Sequence, residues 1–145
     1  MSITITYFVH GTTTDNENNI ATGWNQGELS DLGRRQAQEL GKLVAKQKFD
    51  VVFCSDLKRA IDSAELAFGN KYIISREKRL REANYGDFTG LTDDFKKDEQ
   101  KYIAQPFPNG ESYQDVEKRM RSFIVDLKKQ YDGQHIAIVS HRAPQ

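Results

Sequence analysis

The chain has 145 residues with 21 basic and 21 acidic side chains, three histidines, one cysteine and no net charge. That length buries one hydrophobic core and fits one domain, 1–145, rather than two. The charge balance removes the attraction behind non-specific nucleic-acid binding, and the pairs Lys96-Lys97 and Lys128-Lys129 read as solvated helix faces. Cys54 alone excludes an internal disulfide framework and a thiolate zinc cage. The apolar runs at 51–54 and 136–139 are too short to cross a bilayer. The first residues lack the basic region and long apolar stretch of a secretion signal. A reduced, soluble, cytoplasmic protein is expected, with neither nucleic acid nor membrane as partner.

Along the chain, short β runs alternate with helical stretches. Residues 3–9 are rich in β-branched and aromatic side chains, and Gly11 breaks the run. Residues 12–27, with two glycines and four asparagines, read as a long irregular loop, a length that usually serves function. Ser30 can cap a helix with Leu32, Ala37, Leu40 and Val44 on one face. Residues 51–55 form a nearly all-apolar strand, followed by a helix turning Ala60, Ile61, Ala64 and Ala67 or Phe68 inward. Residues 72–74 read as a third strand and 79–94 as a glycine-bearing loop. A polar, weakly helical stretch follows, ending before Pro106. Ser112 and Asp115 open a capping-box helix carrying Val116, Met120, Phe123, Ile124 and Leu127, and Asp132-Gly133 turns into a last strand at 135–140. This order implies an α/β fold, a mostly parallel sheet with helices on both faces. Such sheets bind ligands beyond the carboxyl ends of their strands.

At those ends stand His10 and His141, each one residue past a strand. Arg59 lies in the first turn after another strand, and Arg81-Glu82 in the glycine-bearing loop. Together they offer a neutral imidazole nucleophile, cationic clamps and a carboxyl acid, which suits transfer of a dianionic phosphoryl group. One strand-end histidine is ordinarily structural; two in equivalent positions, with Arg and Glu in separate loops, argue for chemistry. Other chemistries fit less well. Cys54 and Arg59 have four residues between them, one fewer than a phosphate-cradling cysteine loop uses, and no glycine among them, so Cys54 reads as a buried small hydrophobe. There is no G-x-S-x-G elbow, no G-K-[ST] after Gly86 or Gly90, and no histidine pair at i, i+4. Neither a metal nor a cofactor is called for.

The chain resembles the histidine phosphatase superfamily, also called phosphoglycerate-mutase-like, over nearly all its length. Phe8-Val9-His10-Gly11-Thr12-Thr13 with Asp15-Asn16 is similar to the nucleophile motif, and Thr22-Gly23-Trp24 and residues 29–33 to the segment after it. Ser55-Asp56-Leu57-Lys58-Arg59-Ala60 resembles the phosphate-arginine motif. Leu80-Arg81-Glu82 with Gly86-Asp87-Phe88 resembles the acid loop, and Gly110-Glu111-Ser112 and Val139-Ser140-His141 complete the order. The resemblance implies His10 as nucleophile, His141 and Arg59 on the phosphoryl oxygens, and Glu82 as proton donor and then base for water. It implies that Gly11, Asn16, Thr22 and Gly23 line the phosphate or substrate side, although Asn16 also suits a plain turn. Arg142 could reach the pocket or be a surface charge. The substrate would be a small phosphomonoester.

Two departures stand out. The family places an arginine directly before the nucleophilic histidine, where this chain has Val9. A one-residue deletion accounts for this better than a substitution, since restoring Arg between Val9 and His10 would recover the family's hydrophobic lead-in. Loss of one such donor is worth on the order of 10²–10³ in rate, so impaired catalysis or a non-catalytic phosphate-binding relative is the rival reading. Retention of Glu82 favours the enzyme, because a binder needs no proton donor. The chain also stops at Gln145, four residues past His141, whereas the family continues, so the domain is expected to be C-terminally short. Mutase relatives carry a sizeable insertion after the acid loop. Only 58 residues separate Glu82 from His141 here, which favours hydrolysis over mutase-type transfer.

Overall fold

The computed structural model describes residues 2–145. Strands β1 (Thr4–Val9), β2 (Val51–Ser55), β3 (Ile74–Glu77) and β4 (His135–Ser140) form a sheet in the order β1-β4-β2-β3. Every pairing is parallel. The last strand therefore inserts between the first two, and the carboxyl ends of β1, β4 and β2 lie side by side. That is the crevice where open α/β sheets take their ligands.

Helices α2 (Asp31–Leu43) and α3 (Lys58–Phe68) cover one face. There Val44, Phe49, Ala64 and Phe68 pack on Val52, Cys54, Ala137 and Val139. Helix α4 (Tyr113–Gln130) covers the other, with Met120, Phe123 and Leu127 on Ile136 and Ile138. Its start is the reciprocal capping box read from the sequence: Asp115 N–H donates to Ser112 Oγ, and Ser112 N–H to Asp115 Oδ2. A third, largely aromatic cluster of Tyr85, Tyr102, Phe107 and Val116 sits under the loops beyond the strand ends.

Several local expectations change. The loop at 12–27 contains one helical turn, α1 (Thr14–Glu17), capped by Thr13. The third strand starts at Ile74, not at Tyr72. The amides of Lys71 and Tyr72 both donate to Phe68 O at the end of α3, so Tyr72 belongs to the helix terminus, and its ring packs on Phe49 and Phe68. Ile73 is left 92% exposed. On α2, Leu32 is 42% exposed, and Gly33 takes the inward place. A Cβ on Gly33 would stand 1.9 Å from Thr12 O, so only glycine lets α2 press against the segment following His10. The loop at 79–94 and the stretch after it hold 3-10 turns at Lys78–Leu80, Gly86–Phe88 and Asp93–Tyr102, the last kinked at Asp98. In β1 the ladder runs from Thr4↔His135 to Val9↔Ser140, with Val9 directly before His10.

Candidate active site

The β1–β4 ladder aims His10. Its N–H donates to Ser140 O at 2.9 Å, and its Nδ1 meets Gly11 O at 2.7 Å. Since a carbonyl only accepts, Nδ1 carries the hydrogen and Nε2 keeps its lone pair. Burial pushes the His10 pKa down to about 4, against the pull of the Gly11 carbonyl and with help from Arg59, so the ring is neutral near pH 7. Gly11 N–H donates to Ser63 Oγ at 3.0 Å, and that hydroxyl donates to Arg59 O at 2.8 Å. Ser63 thereby ties the segment after the nucleophile to α3.

The His141 ring stands edge-on to His10, centroids 5.1 Å apart, and is fully buried. Its Nε2 meets Ser55 Oγ at 2.8 Å. Ser55 Oγ also accepts from Leu57 N–H at 3.3 Å, and its own hydrogen has no other acceptor among the described residues. The serine therefore donates to Nε2, which puts the imidazole hydrogen on Nδ1. That nitrogen is buried without a partner. An unmet buried donor costs about 1–3 kcal/mol, and an anionic oxygen would relieve it. Burial first, then the neighbouring Arg59 and His10, hold His141 neutral.

Arg59, in the first turn of α3, is buried. Its Nη1 donates to Asn25 O at 2.7 Å and Gln26 O at 3.2 Å, and its Nη2 to Gly23 O at 2.8 Å. Gly23 holds a φ of +53°, the left-handed conformation that suits glycine. Gly23 thus supports the arginine through its carbonyl. Thr22 Oγ1 donates to Asp15 Oδ2 at 2.8 Å, and Asn16 Oδ1 accepts from Thr13 N–H at 2.9 Å. Both side chains fold the loop; of the two, Asn16 also faces the cleft.

Glu82 comes from the loop on the opposite side. Its Oε1 accepts from Ala83 N–H at 2.8 Å and Ala143 N–H at 3.3 Å. Burial raises its pKa above the usual carboxylate value, partly offset by those amides and Arg59. The loop is tethered by Arg119, whose Nη1 donates to the carbonyls of Arg79 (2.8 Å) and Arg81 (2.7 Å) and whose Nη2 donates to that of Glu82 (2.9 Å). Arg119 is itself ion-paired with Glu111 at 3.0 Å, and Trp24 Nε1 donates to Glu82 O at 2.8 Å. His10, Glu82 and Asn16 share one cleft of about 670 Å³ with Val9, Lys96 and Arg142, while Arg59 and His141 are buried next to the nucleophile's segment. Among the described residues no group of three metal-ligating side chains exists, and no helix is long and apolar enough to cross a membrane.

The sequence profile of the histidine phosphatase superfamily (branch 1) matches residues 7–144. The chain belongs to the histidine phosphatase superfamily. It is 32% identical to the 2,3-bisphosphoglycerate-dependent phosphoglycerate mutase of Rhizobium meliloti, over 97% of this chain and 75% of that protein. With phosphoserine phosphatase 1 of Hydrogenobacter thermophilus, identity is 27% over 81% of this chain and 60% of the relative's length. Among solved structures, the alpha-ribazole phosphatase of Shigella flexneri superposes with a TM-score of 0.80 at 30% identity, over 95% of this chain and 73% of that one. The phosphoserine phosphatase of Entamoeba histolytica, solved with 3-phosphoglyceric acid, gives 0.83 at 25%, over 99% and 76%. The superfamily's fold is the one the strand and helix order implied.

Sequence reasoning missed Ser63, Arg119 and Trp24 as supports of the site. Trp24 lay inside a quoted motif, without a function. Glu111 precedes the cap of α4 and Arg119 lies within it, so no helical spacing marks the pair or the carbonyls that Arg119 collects.

Proposed function

We propose that this chain hydrolyses small phosphomonoesters through a phosphohistidine on His10. The observation that carries the reading is the free imidazole lone pair on Nε2 of His10, in one cleft with a half-buried carboxyl whose pKa is raised. In the first step Nε2 bonds to phosphorus, the phosphorus–oxygen bond of the ester breaks, and the leaving alkoxide takes the Glu82 proton. In the second, ionised Glu82 accepts a proton from water as its oxygen bonds to phosphorus. The phosphorus–nitrogen bond breaks, and inorganic phosphate leaves with His10 neutral again. Arg59 still has two N–H groups uncommitted, and His141 offers Nδ1–H. Pre-placed donors of this kind lower the barrier where charge moves between oxygens.

Mutase-type transfer would use the same phosphohistidine and return the phosphoryl group to a second hydroxyl. The short stretch between Glu82 and Ser112, two 3-10 segments over an aromatic cluster, favours access of water. A panel of p-nitrophenyl phosphate, phosphoserine and phosphorylated three-carbon acids, assayed for phosphate release and for isomerised ester, tests this. Release from several small esters supports hydrolysis; isomerisation without release supports transfer. Phosphate binding with neither supports a non-catalytic relative.

A further inference from the structure

A phosphoryl group brings close to two negative charges into the cleft, and the donors so far described meet them thinly. His10 and His141 are neutral. Arg59 has given three N–H contacts to the carbonyls of Gly23, Asn25 and Gln26. Val9, 44% exposed beside the nucleophile, offers no donor. The neighbouring arginines are also committed: Arg79 to Glu77 and Asp126, Arg81 to Asp56, Arg119 to Glu111. Of the two cations lining the cleft, Lys96 pairs with Asp93 at 3.6 Å. The other, Arg142, has no side-chain partner among the described residues.

Its backbone is held in place. His141 before it is fully buried against Ser55, and Ala143 after it donates its N–H to Glu82 Oε1. Val9 pairs with Ser140, and side chains alternate along parallel strands. Residue 142 lies in the turn just past the end of β4, and it lines the same cleft as Val9.

Resting on the phosphomonoesterase reading, we infer that Arg142 is a phosphoryl-binding residue of this cleft, supplying from the turn after β4 the cation that position 9 of β1 lacks. Its planar fork can donate two parallel N–H bonds to one phosphoryl group, a geometry a lysine does not reproduce.

The test is calorimetric titration of the full chain with inorganic phosphate and with orthovanadate, needing no turnover. Arg142→Gln should weaken both by about tenfold or more, the usual effect of losing a charge-assisted pair, and Arg142→Lys should recover only part. In a Val9→Arg background, the same Arg142→Gln change should cost clearly less, because the two cations serve one group. Arg59→Gln is the control for the underlying reading. If Arg59→Gln weakens phosphate and Arg142→Gln does not, the inference about Arg142 is overturned while the cleft remains a phosphate site. If neither variant matters, the phosphate reading of the cleft fails. If Arg142→Gln spares both anions but raises KM for esters bearing a second anionic group, Arg142 reads the far end of the substrate and the clamp is overturned. Equal loss with and without Arg at position 9 also contradicts the shared role.

Discussion

The two walls of the cleft are built differently. The nucleophile wall is made by strand ends and helix starts. Its histidines are placed by the β1–β4 ladder, and its arginine by a helix turn against loop carbonyls. The acid wall is a loop with little regular structure, resting on its own aromatic cluster and tied back by a few side chains, Arg119 with three carbonyl contacts and Trp24 with one. The first wall is over-determined by backbone hydrogen bonds. The second depends on a few long-range contacts and is the part a single substitution can move.

The largest break in this comparison comes from the acid itself. Glu82→Gln keeps the shape and removes the proton. It should cut turnover of alkyl phosphates by roughly 10²–10⁴, and of p-nitrophenyl phosphate far less, because that leaving group needs no proton. Equal losses for both esters would take Glu82 out of the acid role. Next is its tether. Arg119→Ala removes three carbonyl contacts and leaves Glu111 unpaired, at a cost of about 2–4 kcal/mol. The lowered Tm should come with a drop in kcat on alkyl phosphates larger than any change in phosphate affinity, since Arg59 lies on the other wall. An unchanged kcat would mean that the acid loop holds its shape without Arg119.

How far the sequence could be read follows the same division. Residues on the strand ends were legible because apolar alternation locates a strand and the next polar residue is then at the rim: His10 and His141 meet edge-on there. The Ser112–Asp115 box was legible because its two bonds close within one turn. Tyr72 was misassigned to a strand because its aromatic and β-branched neighbours suit one, while its amide ends α3, a choice made by packing on Phe49 and Phe68. Thr22 was expected on the substrate side, and its hydroxyl instead serves Asp15. Arg119, Ser63 and Trp24 act on backbone groups far away in sequence, which no local pattern encodes. The resemblance suggested a residue missing before His10, and an unbroken ladder up to Val9 fits a deletion and a substitution equally. Replacing Val9 by Arg leaves that register intact, whereas inserting Arg would move each β1 side chain to the opposite face.

A smaller effect sharpens the nucleophile wall. Ser55→Ala removes the donor that fixes hydrogen on Nδ1 of His141. Nitrogen-15 spectra should show an Nδ1–H tautomer in the parent chain and its partial loss in the variant, with kcat down about tenfold. An unchanged tautomer would separate Ser55 from His141. The smallest effect is on pH dependence. The reaction needs His10 neutral and Glu82 protonated, so kcat/KM should keep rising with pH only up to about 4, where His10 titrates. Its decline should begin above the ordinary carboxylate range, as Glu82 ionises. Stability carries the opposite signature for the two groups. Because the folded His10 pKa lies below the unfolded value near 6.5, the unfolded chain binds more protons between about 4 and 6.5, and stability falls as pH drops through that window. The raised Glu82 pKa makes the folded chain bind more protons, so its contribution is present at low pH and lost as pH rises through its folded value. His10→Asn should flatten the first slope in a pH series of melts.

The central claim is that the phosphoryl group passes through Nε2 of His10, and rapid chemical quench with a phosphorus-32-labelled ester tests it most directly. An adduct that is acid-labile and base-stable, forms in the first turnover and disappears in His10→Ala is the predicted result. An acid-stable adduct, or one of undiminished amount in His10→Ala, would contradict it.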